Sequence, residues 1–290
     1  MKYRLLLLLA ALIWGFAFVA QVVGMDSVGP YTFNGVRFVI GSIVLFPIIY
    51  FSKENKNPLP TKIPVWLACF MVGIPLFAGA TLQQVGLQYT TASKASFLTA
   101  TYILMVPIVG IFLGQVLRIT HCIGALLAIL GVYFMSITDN FSIEFGDLLM
   151  LLCAIGFTIQ IHMMTYLTQR FSPIVLSAGQ FMVAGVLNLM LAGILETPTF
   201  SGIEGAWWPL LYCGLLSTGV AYTLQSVGQK YLPPTEASMI LSMEMVFGGL
   251  SGILVLDETF TTRQIIGVLA MTAGVFLSQL PGKVILQLKK

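Results

Sequence analysis

Long apolar runs cut by short polar punctuation organise this chain from one end to the other. Because an unpaired backbone group in hydrocarbon costs several kcal/mol, apolar runs of this length cross a bilayer as helices of about 20 residues. The pattern predicts spans at residues 4–23, 31–51, 64–87, 91–113, 119–136, 147–167, 173–195, 206–228, 234–256 and 263–280. Pro30, Pro64, Pro173 and Pro233-Pro234 stand at span starts, where a missing N–H costs nothing. The connections are short and leave little room for a soluble domain. Met1-Lys2-Tyr3-Arg4 followed by an apolar run to Val23 has the outline of a signal peptide. Its length of about 20 residues, with nine similar runs after it, makes it a retained first span.

Composition agrees. Hydrophobic residues make up 58% of the chain and charged ones 9%, with a mean hydropathy of +0.94, against roughly 25% charged in soluble domains. The net charge of +3 is scattered, with no basic run interleaved with aromatics, so nucleic acid is excluded as a partner. Cys69, Cys122, Cys153 and Cys213 fall in apolar stretches without metal-ligand or disulfide-framework spacing, and read as small buried hydrophobes.

Charge also predicts orientation. One set of span ends carries Lys2, Arg4, Lys53, Lys56, Lys62, Arg118, Arg170, Lys230, Lys283, Lys289 and Lys290; the other carries Lys94 and Arg263. Asp26, Asp139, Glu144, Asp147, Glu196, Glu204, Asp257 and Glu258 join the second set. The positive-inside rule puts the first set, with both termini, in the cytoplasm, which requires an even number of spans.

The chain resembles itself when displaced by about half its own length. Trp14-Gly15-Phe16 aligns with Ile155-Gly156-Phe157, and Pro30 through Arg37-Phe38 with Pro173 through Gln180-Phe181. Gln83, Gly86 and Tyr89 fall on Gln225, Gly228 and Tyr231, Gly124 on Gly267, and Gly131-Val132 on Gly274-Val275. Five spans per half is an odd number, so the second half starts on the other side of the membrane. The expected fold is an all-α membrane protein of ten helices in two inverted five-helix repeats, residues 1–138 and 139–290, a plan that lets two halves exchange conformations in secondary transporters.

Residues 214–275 carry Gly214-Leu-Leu-Ser-Thr-Gly-Val-Ala-Tyr222, Ala237-Ser238, Ser242-Met-Glu244-Met-Val-Phe247, Asp257-Glu258, Gln264-Ile-Ile-Gly267 and Ala273-Gly274-Val275. They resemble the second repeat of EamA-type proteins of the drug/metabolite transporter superfamily. Leu12-Ile-Trp-Gly15, Arg37-Phe38, Ala92-Ser-Lys-Ala95 and Val106-Pro107 are similar to the first repeat. The resemblance covers nearly the whole chain. It implies a central cavity from helices one to four and six to nine, peripheral helices five and ten, and transport of amino acids or other metabolites, often outward. Gln115 stands where the first repeat often has Glu, and Met245 where Pro commonly follows the helix-nine glutamate, which removes a kink.

Polar residues within the spans are the candidate chemistry. Glu244, about ten residues into a 23-residue span, falls near the bilayer centre, where a charged carboxyl is expensive. It serves as counter-charge to a substrate amine, as a proton carrier, or as a brace between helices. Arg37 lies about 9 Å into the second span; an ion pair or snorkelling anchor is its structural reading, and a bound carboxylate its functional one. Lys94 is expected at the interface. Trp14, Phe18 and Gln21 share a face of the first helix, Thr218, Tyr222 and Gln225 a face of the eighth, while Gln83, Tyr102, Gln160 and Gln180 add polar groups in helices three, four, six and seven. Together they suggest a polar cavity, against interhelical hydrogen bonds singly. His121 and His162 read as packing histidines, and Gly248-x-x-x-Gly252 as a close helix contact.

These features describe an inner-membrane carrier working by alternating access, with substrate on Trp14, Gln83, Tyr102, Tyr222, Gln225 and Glu244, and Arg37 or Gln180 as further contacts. A small polar metabolite such as an amino acid is the expected cargo, with export the direction that the resemblance implies; efflux of lipophilic organic cations is the rival. No cofactor or metal is expected, and proton coupling and a homodimer both fit the chain. An enzyme would need a nucleophile with a positioned base, which the sequence does not present.

Overall fold

The computed structural model describes residues 1–51, 59–136, 143–278, 280 and 282–286. Lys53, Lys56, Asp139, Lys289 and Lys290, and the expected boundary between the halves, lie outside the described residues.

The chain is helical almost throughout. Among the described residues, eight helices are long and apolar enough to cross a membrane: Lys2–Gly24, Pro30–Phe51, Val65–Gly86, Ala92–Phe112, Phe145–Leu167, Pro173–Leu195, Trp207–Gln229 and Pro234–Leu256. Two shorter apolar helices, Ile119–Phe134 and Thr262–Ser278, occupy the other two expected positions. This is a multi-span membrane protein. A two-stranded antiparallel pairing joins β1 (Leu117–Arg118) to β2 (Val284–Leu286).

Uninterrupted helices are α1 (Lys2–Gly24), α2 (Pro30–Phe51), α3 (Val65–Gly86), α6 (Ile119–Ser136), α7 (Phe145–Leu167), α8 (Pro173–Leu195) and α14 (Thr262–Ser278). Three other spans are not uniform. The fourth breaks into α4 (Ala92–Thr99) and α5 (Tyr102–Phe112), and the ninth into α12 (Pro234–Leu241) and α13 (Glu244–Leu256). The eighth follows a short surface helix, α9 (Phe200–Gly205), and runs from α10 (Trp207–Leu211) through a π-helical segment, Tyr212–Tyr222, into α11 (Thr223–Gln229).

The absence of proline at Met245 does not leave the ninth span straight. At each break a hydroxyl takes a carbonyl three residues back: Thr101 Oγ1 donates to Leu98 O at 2.6 Å and Ser242 Oγ to Met239 O at 2.7 Å. Such local bonds compete with the helical ladder and accompany the interruption of both spans.

Each broken span ends in a left-handed turn, at Gly114 with φ 83° and at Asp257 with φ 53°. The next residue closes the helix end: Gln115 N donates to Gly110 O at 2.8 Å and Glu258 N to Gly252 O at 3.2 Å, satisfying carbonyls that a helix terminus leaves open.

Helix α2 packs on α8, α3 on α7 and α8, α1 on α13 and the π-helical segment, and α4 on α13. Helices α6 and α14 pair at one side of the molecule. There a Cβ added to Gly124 would lie 2.6 Å from Gly274 O, and one added to Gly131 2.7 Å from Gly267 O, so backbones meet where only glycine fits. Gly248 and Gly252 likewise face Ser96 and Ser93 on α4, as the spacing predicts.

Two faces of the bundle can be told apart by their contacts. On the terminal face Tyr3 stacks on Tyr231, Arg4 pairs with Glu236, and Leu59 N donates to Gln169 O. On the far face Tyr89 meets Phe145, and Tyr31 N and Thr32 N donate to the Glu196 carboxylate.

Candidate functional site

A cavity of about 40 Å³ lies among α1, α2, α3, α7, the π-helical segment, α11 and the two helix breaks. That is room for a few waters. Trp14, Arg37, Gln83, Tyr102, Tyr222, Gln225 and Glu244 all line it, with Gln21, Thr99, Phe157, Gln160 and Ser217.

The breaks explain how two distant residues arrive together. Tyr102 begins α5 and Glu244 begins α13, so both stand at interrupted helix starts within the bundle. A carboxylate in the first turn of a helix meets the positive end of the peptide dipoles, which offsets part of the cost of holding Glu244 4% exposed. Tyr102 lies within electrostatic range of Glu244, yet its hydroxyl has no partner in hydrogen-bond geometry.

Arg37 is neither an interfacial anchor nor half of an ion pair. It is 2% exposed, its Nε donates to Asn34 Oδ1 at 2.8 Å, and its guanidinium lies 4.7 Å from the Phe38 ring centre. One terminal nitrogen is buried without a partner, and no carboxylate pairs with it among the described residues. Phe33, whose ring centre lies 6.0 Å away, adds apolar surface, so the side chain extends within the bundle and not along it to water.

Amides form the polar wall. Gln225 Nε2 donates to Gln160 Oε1 at 3.1 Å, and Gln160 Nε2 to Gln180 Oε1 at 3.0 Å. Gln180 therefore does not line the cavity; it backs Gln160. Gln83 Nε2 donates to Thr99 Oγ1 at 3.1 Å. Aromatic rings also line the cavity, with the Trp14 and Tyr222 centres 4.5 Å apart.

The eighth span shifts one expected position. Regular α spacing puts Thr218 on the face of Tyr222, but the i to i+5 turns of the π-helical segment bring Ser217 there and turn Thr218 against Gly41 on α2. Trp14 Nε1 donates to Ser217 O at 3.0 Å. Of the cavity residues, Thr99 and Ser217 and the apolar Ala17, Phe157, Ile161 and Leu241 escape the sequence reading; the hydroxyls carry no signal until the distortions are seen.

Lys94 lies at the outer end of α4 and turns to carboxylates there. Its ammonium is buried, 2.7 Å from Asp147 Oδ2 and 2.9 Å from Glu144 Oε2. Three residues into a span that lies inside the bundle, it finds carboxylates closer than water. His162 Nε2 lies 3.0 Å from Val106 O, a packing contact, and His121 Nδ1 accepts from Arg118 N. All four cysteines are free, and no three His, Cys, Asp or Glu side chains gather as a metal site among the described residues.

The model of the EamA-like transporter family matches this chain twice, at residues 1–137 and again at 144–280. The chain belongs to the EamA-like transporter family. That family lies in the drug/metabolite transporter superfamily, and the chain is a membrane transporter and not an enzyme. An uncharacterized transporter of Archaeoglobus fulgidus is 34% identical over 275 residues, 94% of this chain and 84% of the relative. The transporter YoaV of Bacillus subtilis is 26% identical over 284 residues, 96% of each chain. A WAT1-related chloroplastic protein of Arabidopsis thaliana is 26% identical, over 92% of this chain and 67% of its own. A solved crystal structure shares the fold at a TM-score of 0.73 and 18% identity, covering 96% of this chain and 97% of that one. A membrane transporter of this family acts on a small molecule in a lipid bilayer.

Proposed function

We propose that this EamA-family transporter carries a small zwitterionic metabolite of the amino-acid class, outward across an inner membrane, by alternating access at the cavity between Arg37 and Glu244. The observation that carries the reading is the pairing of unlike charges in one cavity. The guanidinium and the carboxyl both border it, and neither has an oppositely charged protein partner among the described residues. A solute with its own carboxylate and ammonium supplies both, and charged hydrogen bonds of this kind are about twice as strong as neutral ones. The amides of Gln83, Gln160 and Gln225 suit its polar groups, and Trp14, Phe18 and Tyr222 an apolar side chain.

The mechanism rests on ten spans in two inverted repeats, residues 1–138 and 139–290. Several relationships support it. The family model matches twice, and α1 starts on the terminal face while α7, its counterpart, starts on the far face beside Tyr89. Gly124 meets Gly274 and Gly131 meets Gly267, the contacts that exchange under the sequence repeat. Both broken spans break at equivalent places, before Tyr102 and before Glu244. Charge supports cytoplasmic termini.

Counterflow of radiolabelled amino acids in proteoliposomes tests the reading. Exchange is expected for the wild type and its loss in Glu244→Gln and Gln225→Ala. Wild-type exchange in both variants removes the site assignment. The rival reading, efflux of lipophilic organic cations, draws on Glu244 beside aromatic walls; Arg37 in the same cavity weighs against a cation alone. Transport of tetraalkylammonium without amino acids selects it. Flux with and without an imposed pH gradient decides whether Glu244 couples to protons.

A further inference from the structure

We infer that the two eight-residue half-helices, α4 on the far face and α12 on the terminal face, are the gates of the cavity. Each is latched by the same pair of contacts with the charges exchanged, and the far-face latch is the tighter. The inference rests on the carrier reading above, since gates have meaning only for a cavity that opens to either side.

Lys94 on α4 pairs with Asp147 on α7. Glu236 on α12 pairs with Arg4 on α1. Under the internal repeat Glu236 is the counterpart of Lys94, and the alignment that sets Gly15 on Gly156 puts Arg4 on Phe145, two residues before Asp147. The two ion pairs thus join counterpart helices at nearly the same place, with base and acid swapped between the partners. Neither pair touches the cavity; they hold the outer ends of half-helices whose inner ends, Thr99 and Leu241, line it.

A second contact repeats with them. After the left-handed turn at Asp257, the Glu258 carboxylate accepts from Ala92 N at 2.8 Å and Ser93 N at 2.9 Å, capping α4 from the other half of the chain. After the turn at Gly114, Gln115 Oε1 accepts from Thr235 Oγ1 at 2.8 Å at the start of α12. Glu258 and Gln115 occupy the same place in the two repeats. Here the exchange is of a carboxylate with two backbone donors for a neutral amide with one hydroxyl.

The two latches are not equally strong. Side chains of the far-face pair are 9% exposed at Lys94 and 0% at Asp147, while those of the terminal pair are 61% exposed at Arg4 and 32% at Glu236. Exposed ion pairs contribute little, whereas losing one partner of a buried pair is costly. A carboxylate on a helix N-terminus is likewise stronger than a neutral hydrogen bond. The terminal gate therefore opens first, and the resting protein favours access from that face.

The test reads access directly and needs no transported solute. In a background with Cys69, Cys122, Cys153 and Cys213 replaced by Ala, Thr99→Cys is labelled with a membrane-impermeant maleimide in sealed vesicles of either orientation. Faster labelling is expected from the terminal face. Asp147→Asn is expected to raise far-face labelling about tenfold, and Lys94→Asp with Asp147→Lys to bring it back towards the starting rate. Gln115→Glu, which adds charge to the weaker latch without removing a contact, is expected to slow terminal-face labelling about threefold. Faster labelling from the far face at the start, or rates unmoved by both Asp147→Asn and Gln115→Glu, overturns the gate assignment. Failed amino-acid exchange with these labelling shifts intact counts against the substrate reading alone.

Discussion

Gly114 and Asp257, which hold the same place in the two repeats, are the two described residues whose backbone turns left-handed, and each is followed by the side chain that reaches across to the other half of the chain. An L side chain in this region is disfavoured by about 1–2 kcal/mol, and Asp tolerates it better than most. Gly114→Ala is therefore expected to lower stability by about 1 kcal/mol, and Asp257→Gly to change it by less, because relief of the turn is offset by a freer unfolded chain. Thermal unfolding in detergent measures both; an Asp257→Gly loss larger than that of Gly114→Ala contradicts the account.

Trp14 contributes through a ring and through an N–H, and the two can be separated. Trp14→Phe keeps an aromatic surface beside Tyr222 but leaves Ser217 O without its donor, a loss of about 1 kcal/mol. Trp14→Ala removes both and is expected to cost about 3 kcal/mol or more. Thermal shift should rank wild type, Phe and Ala in that order, with Phe retaining measurable substrate exchange.

Gln160 stands between Gln225 and Gln180, so its removal strands a buried donor on one side and an acceptor on the other. Each stranded group costs about 1–3 kcal/mol. Gln160→Leu is expected to lower both stability and ligand affinity. Gln180→Leu, which changes a residue behind the cavity wall, is expected to lower stability with a smaller effect on affinity. Ligand-induced thermal stabilisation across the panel used for counterflow compares the two; equal affinity losses would place Gln180 among the binding groups.

Topology offers a prediction independent of any substrate. A fluorescent protein fused after Lys290 is expected to fluoresce, as it does only in the cytoplasm, and alkaline phosphatase fused after Gln88, in the connection between α3 and α4, is expected to be active. The reverse pattern inverts the orientation drawn from lysine and arginine placement.

Much of this is legible in the sequence because the membrane imposes simple rules. Apolar run length places α1, α2, α3, α7 and α8 to within about two residues, and Glu244 announces itself by sitting in hydrocarbon. What escapes are departures from α-helical regularity. The breaks before Tyr102 and Glu244 coincide with hydroxyls at Thr101 and Ser242, which look like any other polar residue in a span. The wide turns at Tyr212–Tyr222 rotate Ser217 into the place that regular spacing gives to Thr218. Arg37 departs from expectation for a related reason: depth along a helix says how far water is, but not that α2 turns the side chain towards protein.

The interruptions before Tyr102 and Glu244 have a mechanical corollary. An unbroken rod of 21 or 23 residues would carry any tilt at one mouth through to the other. Hinged near its middle, it lets an end piece of eight residues swing while the remainder stays seated. Admission of a solute then calls for leverage on two short arms, and the bulk of the protein can remain at rest against the lipid.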